Sequence, residues 1–345
     1  MTDTETATPV KMVFVIGAPR SGTTMLERML SAHSQIQGGP EPHLLTPLAH
    51  LGVWDKVNKA PYDHVLAAQA QKGFVAQLPR GEDDYWEACR AYCDVLYNRY
   101  ARAQGGKPFC LDKTPAYALV LPFITKVYPD AAYIVLTRHP LAIFSSYANS
   151  FFNGDYDCAH EYNPIVERYV PALAAFLRSE HPRLLHVPYE ALVRDPEQWF
   201  ERICAHIGVA YEADAVNYGE NRNQPDTGGL GDPIGVSQHT RPSTASVKKW
   251  VAELATDQKK LTLAKHMIAA VHPDDLALLG YPLDSLWEPL LEADESISPP
   301  KPPRATRYRM ERRMIMSLRA LAGRNTLFRR ALERLRLMCD VLLRE

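Results

Sequence analysis

No stretch of the 345-residue chain approaches eighteen consecutive apolar residues, so nothing in it reads as a membrane span. The first ten residues are polar and lack the apolar core of a secretion signal, which makes the cytoplasm the expected address. Cysteine pairs are missing too. The six cysteines (Cys89, Cys93, Cys110, Cys158, Cys204, Cys339) form no CxxC and no Cys/His spacing of a zinc site, which predicts reduced thiols and no metal. Cys89 and Cys93, four apart, share one helical face and read as packing residues. The chain also lacks a large net charge, with 39 Lys and Arg against 40 Asp and Glu for a net of −1, and no nucleic-acid partner is expected. That balance hides an asymmetry: residues 301–345 carry 13 Lys and Arg against 4 Asp and Glu, so the end of the chain is a separate electrostatic object. An apolar fraction of 46% is enough for a proper core.

The most informative segment runs from an apolar strand (Met12–Gly17) through Gly17-Ala-Pro-Arg-Ser-Gly-Thr-Thr24 into a helix from Gly22 to about His33. A Gly-bounded turn between strand and helix is a phosphate cradle: backbone N–H groups and the positive helix end converge with Arg20, Ser21, Gly22, Thr23 and Thr24 on one anionic group. Again an absence is informative. Thr23 stands where a nucleotide triphosphatase carries its lysine, the charge sits at Arg20 instead, and no later strand ends in an evident Mg-binding aspartate. Some other phosphate-like group is predicted. The helix carries the chain roughly 18 Å away, and the extended return through Ser34–Pro40 recovers about 23 Å. Glu41 and His43 should therefore lie beside the cradle.

The rest of the chain alternates strands and helices. Strands are predicted at Phe109–Leu111, Ala131–Leu136 and Arg183–Val187, with helices at Leu119–Tyr128, from Pro140 through Tyr147, at Pro164–Ser179 and at Pro196–Ile207. This pattern implies an α/β fold, a P-loop-like central parallel sheet with helices on both faces. Ligands of such sheets sit at the carboxyl ends of the strands. Arg20, Lys113, Arg138 and Tyr189 all follow predicted strands and should share that edge. Residues 1–10 read as a disordered start and 11–295 as the catalytic domain. Within it, residues 44–105 form an aromatic-rich helical insertion that walls an acceptor pocket or simply packs over the sheet edge. A long Gly-rich loop covers Asn221 to Thr240, and helix resumes at about Ser243–Leu254. Residues 296–303 form a Pro-rich hinge. Residues 304–345 form a basic tail of two amphipathic helices, Tyr308–Leu321 and Thr326–Leu343, split by Gly323-Arg-Asn325. The tail reads either as a packing element for the chain's own body or a second subunit, or as a dock for an anionic membrane surface, which would make the protein peripheral there.

In order and spacing, residues 12–255 resemble the sulfotransferases that use 3′-phosphoadenosine 5′-phosphosulfate. Gly17–Thr24 resembles that family's loop for the 5′-phosphosulfate. Tyr133-Ile-Val-Leu-Thr-Arg-His-Pro-Leu-Ala-Ile-Phe-Ser-Ser-Tyr147 resembles its 3′-phosphate segment, with Arg138 and Ser146 at the matching positions. Asp112-Lys113-Thr114-Pro115 is similar to the family's lysine-bearing loop. Tyr189 is similar to a nucleotide-contacting tyrosine. Gly231–Arg241 resembles the cover of the nucleotide, where Ser237 and Arg241 would meet the bridging region and the 3′-phosphate. In detail, Pro40-Glu-Pro-His-Leu-Leu45 and the Gly-Asp-Pro loop look closest to bacterial sulfotransferases that act on polyketide chains.

The resemblance implies transfer of a sulfuryl group to a hydroxyl of a small-molecule, lipid-like or polyketide-like acceptor, with adenosine 3′,5′-bisphosphate as product and no metal. Arg20, Lys113 and the loop amides would hold the leaving group and the sulfuryl oxygens. Glu41 or His43 would be the general base, with Glu41 placed first and an ion pair of Glu41 with Arg20 as its structural reading. Two alternatives follow from the same residues: a P-loop phosphotransferase or kinase that departs from the lysine pattern and requires Mg, and a catalytically silent scaffold of this fold.

Overall fold

The computed structural model describes residues 10–39, 41, 44–49, 64–220 and 240–293, with residues 314, 318, 321, 325–328, 330–332, 334 and 335 of the tail. At its centre lie five strands, β1 (Lys11–Ile16), β2 (Ile36–Gln37), β3 (Phe109–Asp112), β4 (Ala132–Thr137) and β5 (Leu184–Pro188), in the order β2-β3-β1-β4-β5. Each neighbouring pair is parallel. Central strand β1 reads Met-Val-Phe-Val-Ile without polar interruption after Lys11, because both of its faces are covered. Phe14 and Ile16 point to one core, packed with helices α4 (Glu82–Ala103), α5 (Leu121–Val127), α6 (Pro140–Phe152) and α8 (Ile165–Arg178). Val13 and Val15 point to the other, packed with α1 (Thr23–Ala32), α9 (Tyr189–Arg194) and α10 (Pro196–Ile207). The α/β architecture with helices on both faces is as expected.

Register fixes the edge that matters. Phe14 pairs with Asp112 and Ile16 with Val135, so the residues that follow β1, β3 and β4 emerge side by side. Two elements add to the predicted pattern. Strand β2 is two residues long, too short to show a period, and lies inside the return after α1. The helix expected over Leu119–Tyr128 is α5, and a 3₁₀ turn, Pro115–Leu119, precedes it. Pro115 and Pro122 each sit in a first turn, where a missing N–H is tolerated, and so start new helices rather than continue one.

Within residues 44–105 lie α2 (Leu45–Ala49), α3 (His64–Val75) and α4. Helix α4 buries Trp86, Cys89, Cys93, Tyr97 and Ala101, spaced by three and four, against the sheet. Cys89 and Cys93 are thus packing residues, and Cys89, Cys93, Cys110, Cys158 and Cys204 are free thiols. After residue 240, a 3₁₀ turn (Thr244–Ser246) leads to α11 (Lys249–Thr256), so the helix predicted over Ser243–Leu254 is broken once. The hinge at 296–303 and most of the tail lie outside the described residues. Where the tail is described, Met314, Leu318 and Leu321 are helical and exposed. Asn325 Oδ1 accepts the amides of Leu327 and Phe328 at 3.0 and 3.1 Å, an N-cap at the predicted helix break.

Candidate active site

The turn after β1 is shaped by its glycines. A Cβ on Gly17 would lie 2.5 Å from Ser21 Oγ and 2.8 Å from the Leu136 carbonyl. Gly22, the N-cap of α1, has φ 101°, and a Cβ there would come within 2.5 Å of the Tyr189 ring. Between them Arg20 takes a left-handed backbone at φ 73°, a conformation unfavourable for a side-chain-bearing residue and held here by its surroundings. Its carbonyl accepts Arg138 Nη1 at 2.9 Å, and its Nε donates to Ser146 Oγ at 3.1 Å. Ser146 is therefore joined to the arginine of the first motif, although it belongs to the helix that follows Arg138.

Arg138 is buried and organises the edge. Its Nη2 donates to the Ser246 carbonyl at 2.9 Å, and its guanidinium lies 4.4 Å from the Tyr189 ring centroid. The Tyr189 hydroxyl meets Ser246 Oγ at 2.8 Å. Burial presses the Arg138 pKa below the usual guanidinium value, and Tyr189 and Glu190 pull it back. Two of its donors are given to carbonyls, while Nε is buried with no hydrogen-bond partner among the described residues.

Lys113 extends the cluster from the end of β3. It is 4% exposed, approaches Thr24 Oγ1 at 3.5 Å and is ion-paired with Glu41. The chain's return after α1 thus does bring Glu41 to the cradle, where it meets Lys113. His43 and Ser237 lie outside the described residues. Arg241 is exposed and donates to Glu197 at 2.7 Å, a partner outside the cluster. Ser21 is fully buried in the cradle, and its Oγ has no hydrogen-bond partner among the described residues. Thr23 is buried at the start of α1.

Sequence reasoning missed four participants. Ser246 bridges Arg138 and Tyr189; its signal was the Ser-rich stretch before α11. Asp112, fully buried, accepts from Tyr117 at 2.9 Å, from Thr114 at 3.0 Å and from Tyr97. Glu27 is buried on α1 with Ser31 Oγ donating to it at 3.0 Å; burial raises its pKa, and the nearby Lys113 charge opposes that rise. His139 stacks on Trp250 at 4.4 Å, and burial lowers its pKa to about 4. Asp112 and His139 sit inside motifs quoted for their neighbours Lys113 and Arg138, and Glu27 has no local pattern that announces it.

Three cations, a helix N-terminus and an unpartnered buried hydroxyl thus gather at the carboxyl edge of a parallel sheet. Such an edge suits a ligand with more than one anionic group. Among the described residues no group of three or more His, Cys, Asp or Glu could hold a metal ion, and no helix is long and apolar enough to cross a membrane.

These features define a phosphate-loop α/β protein built for an anionic ligand. Residues 12–213 match the sulfotransferase family, and the chain belongs to it. The nodulation protein NoeE of Sinorhizobium fredii is 29% identical over 216 residues, which cover 56% of this chain and 49% of NoeE. The chain thus spans about half the length of that relative. Protein-tyrosine sulfotransferase 1 of Danio rerio is 24% identical over 285 residues, covering 76% of this chain and 72% of that protein. Among solved structures, the sulfotransferase domain of the Synechococcus PCC 7002 olefin synthase has a TM-score of 0.46 and 26% identity, covering 75% of this chain and 95% of that one.

Proposed function

We propose that the chain transfers the sulfuryl group of 3′-phosphoadenosine 5′-phosphosulfate to a hydroxyl of a small-molecule, lipid-like or polyketide-like acceptor. The observation that carries this reading is the convergence of Arg20, Arg138 and Lys113 on the turn Gly17–Thr24, with Ser21 Oγ buried there and unpartnered among the described residues. Family membership supports the donor. The donor fits the residues present: two anionic ends need two cationic subsites, and the sheet edge offers Lys113 with the Ser21–Thr24 turn on one side and Arg138 with Ser146, Tyr189 and Ser246 on the other. The donor supplies an activated sulfuryl group whose leaving group is a phosphate.

In the reaction the acceptor oxygen bonds to sulfur while the bond from sulfur to the bridging oxygen breaks. Adenosine 3′,5′-bisphosphate departs, and the acceptor proton goes to a base. Lys113 and Arg20 stabilise charge on the leaving oxygen and the sulfuryl oxygens. Glu41 is the base we place first, and His43, two residues on, is the other. The Lys113–Glu41 pair has a mechanistic sense: a cation for the leaving group and a carboxylate for the incoming proton are stored against each other in a partly buried site. Engagement of Lys113 with the donor releases the carboxylate for the acceptor.

The test uses donor labelled with ³⁵S and a panel of phenols and alcohols. The parent transfers label without Mg, and Glu41→Gln lowers turnover on the order of 10²-fold with adenosine 3′,5′-bisphosphate affinity intact. Turnover of the variant within a fewfold of the parent would remove Glu41 as the base. Phosphoryl transfer from ATP·Mg in place of sulfuryl transfer would overturn the reading.

A further inference from the structure

The proposed donor side (Lys113) and acceptor side (Glu41) are 72 residues apart in sequence and are joined by an ion pair. Once the donor binds, the single charge of Lys113 is shared between Glu41 and the phosphosulfate, so that pair weakens. A second link would then keep the Glu41 segment in place.

Such a link is built under the site. Leu45, four residues after Glu41, opens α2, and its amide is one of the helix-start N–H groups that have no intrahelical acceptor. That amide donates to the Tyr117 hydroxyl oxygen at 3.1 Å. The Tyr117 hydroxyl donates in turn to Asp112 Oδ2 at 2.9 Å, and Asp112 is the residue directly before Lys113. Leu45, Tyr117 and Asp112 are each fully buried, so none of these bonds competes with water. Tyr117 is itself fixed: its amide donates to the Thr114 carbonyl at 2.9 Å, and its ring packs edge-on against Phe14 of β1 at 6.3 Å. Burial and the Asp112 charge both hold its hydroxyl protonated, as a donor to Asp112 must be. Four residues of extended chain reach at most about 14 Å, so fixing Leu45 sets an upper limit on how far Glu41 can move from the start of α2.

We propose that Tyr117 is a positioning residue, whose hydroxyl joins the Leu45 amide to the Asp112 carboxylate and so keeps the Glu41 segment in register with Lys113 when the donor site is filled. The inference rests on the proposed donor site. A matched control is present in the same cluster: Tyr97 also donates to Asp112 but, among the described residues, makes no hydrogen bond to α2, so Tyr97→Phe removes a bond to the same carboxylate without cutting the link.

The experiment is amide hydrogen exchange over residues 41–49 with and without adenosine 3′,5′-bisphosphate, beside calorimetric titration of the same ligand. In the parent and in Tyr97→Phe, exchange of this segment stays within about twofold when the bisphosphate binds, because the link holds after Lys113 turns to the donor. In Tyr117→Phe the bisphosphate speeds exchange at least fivefold, while the dissociation constant stays within about threefold of the parent's. A merely structural hydroxyl would make the two variants behave alike. Acceleration in the parent, or the same response in both variants, would overturn the inference and leave the donor site standing. No binding by the parent would overturn the donor reading and the inference with it.

Discussion

His139, beside Arg138, is a buried group whose ionisation bears on stability. It stacks on Trp250, meets the Leu286 carbonyl through Nε2 at 3.0 Å, and its pKa falls from the usual 6.5 to about 4 because burial disfavours the imidazolium. The unfolded chain therefore binds a proton at His139 that the native state refuses between about pH 6.5 and pH 4. Stability is full above this window and declines as pH falls through it. The decline attributable to this one side chain is about 3 kcal/mol. His186 and His206 are lowered by burial too and act in the same direction. Thermal melts from pH 7 to pH 4.5 should show a falling midpoint, and His139→Gln should flatten that slope. An identical slope in the variant would contradict the assignment. At this scale the sequence was legible where a residue sits in a contiguous motif: Arg20, Ser21, Lys113 and Arg138 follow strand ends and were found that way. Glu27 and Asp112 were not, because a buried carboxylate is made tolerable by partners that only the fold brings to it. For Asp112 these include Tyr97 and Tyr117, and for Glu27 the charge of Lys113, far along the chain.

At the scale of elements, the junction of β1 and α1 carries the account. Gly22 must take φ 101° and must let the Tyr189 ring close on its Cα. Gly22→Ala should cost about 2–4 kcal/mol, since a positive φ and a ring contact are both violated. Gly105 offers the comparison: it has φ 105° with open space where a Cβ would go, so Gly105→Ala should cost only the backbone part, about 1 kcal/mol. Urea denaturation of the two variants measures the difference, and equal losses would remove the Tyr189 contact from the explanation. Strands β1 and β4 were legible because a fully buried strand leaves an unbroken apolar run. Strand β2 and the 3₁₀ turn ahead of α5 were not. Two residues carry no period, and proline at the first turn of a helix looks locally like proline within one.

For the whole molecule, alternation of strands and helices sufficed to read a parallel sheet covered on both faces. The order β2-β3-β1-β4-β5 was not read, since strand neighbours are chosen by packing across the two cores rather than by any one segment. That order decides function by setting the ends of β3, β1 and β4 side by side and bringing Lys113, the Gly17–Thr24 turn and Arg138 onto one edge. The central claim is that this edge holds a 3′,5′-bisphosphorylated adenosine. The most direct test is thermal denaturation of the purified chain with adenosine 3′,5′-bisphosphate, without Mg, beside ATP·Mg. A ligand at 100 times its dissociation constant stabilises the native state by about 2.7 kcal/mol, enough to move the melt visibly. The account predicts a rise with the bisphosphate in the absence of Mg. A rise with ATP·Mg alone would contradict it.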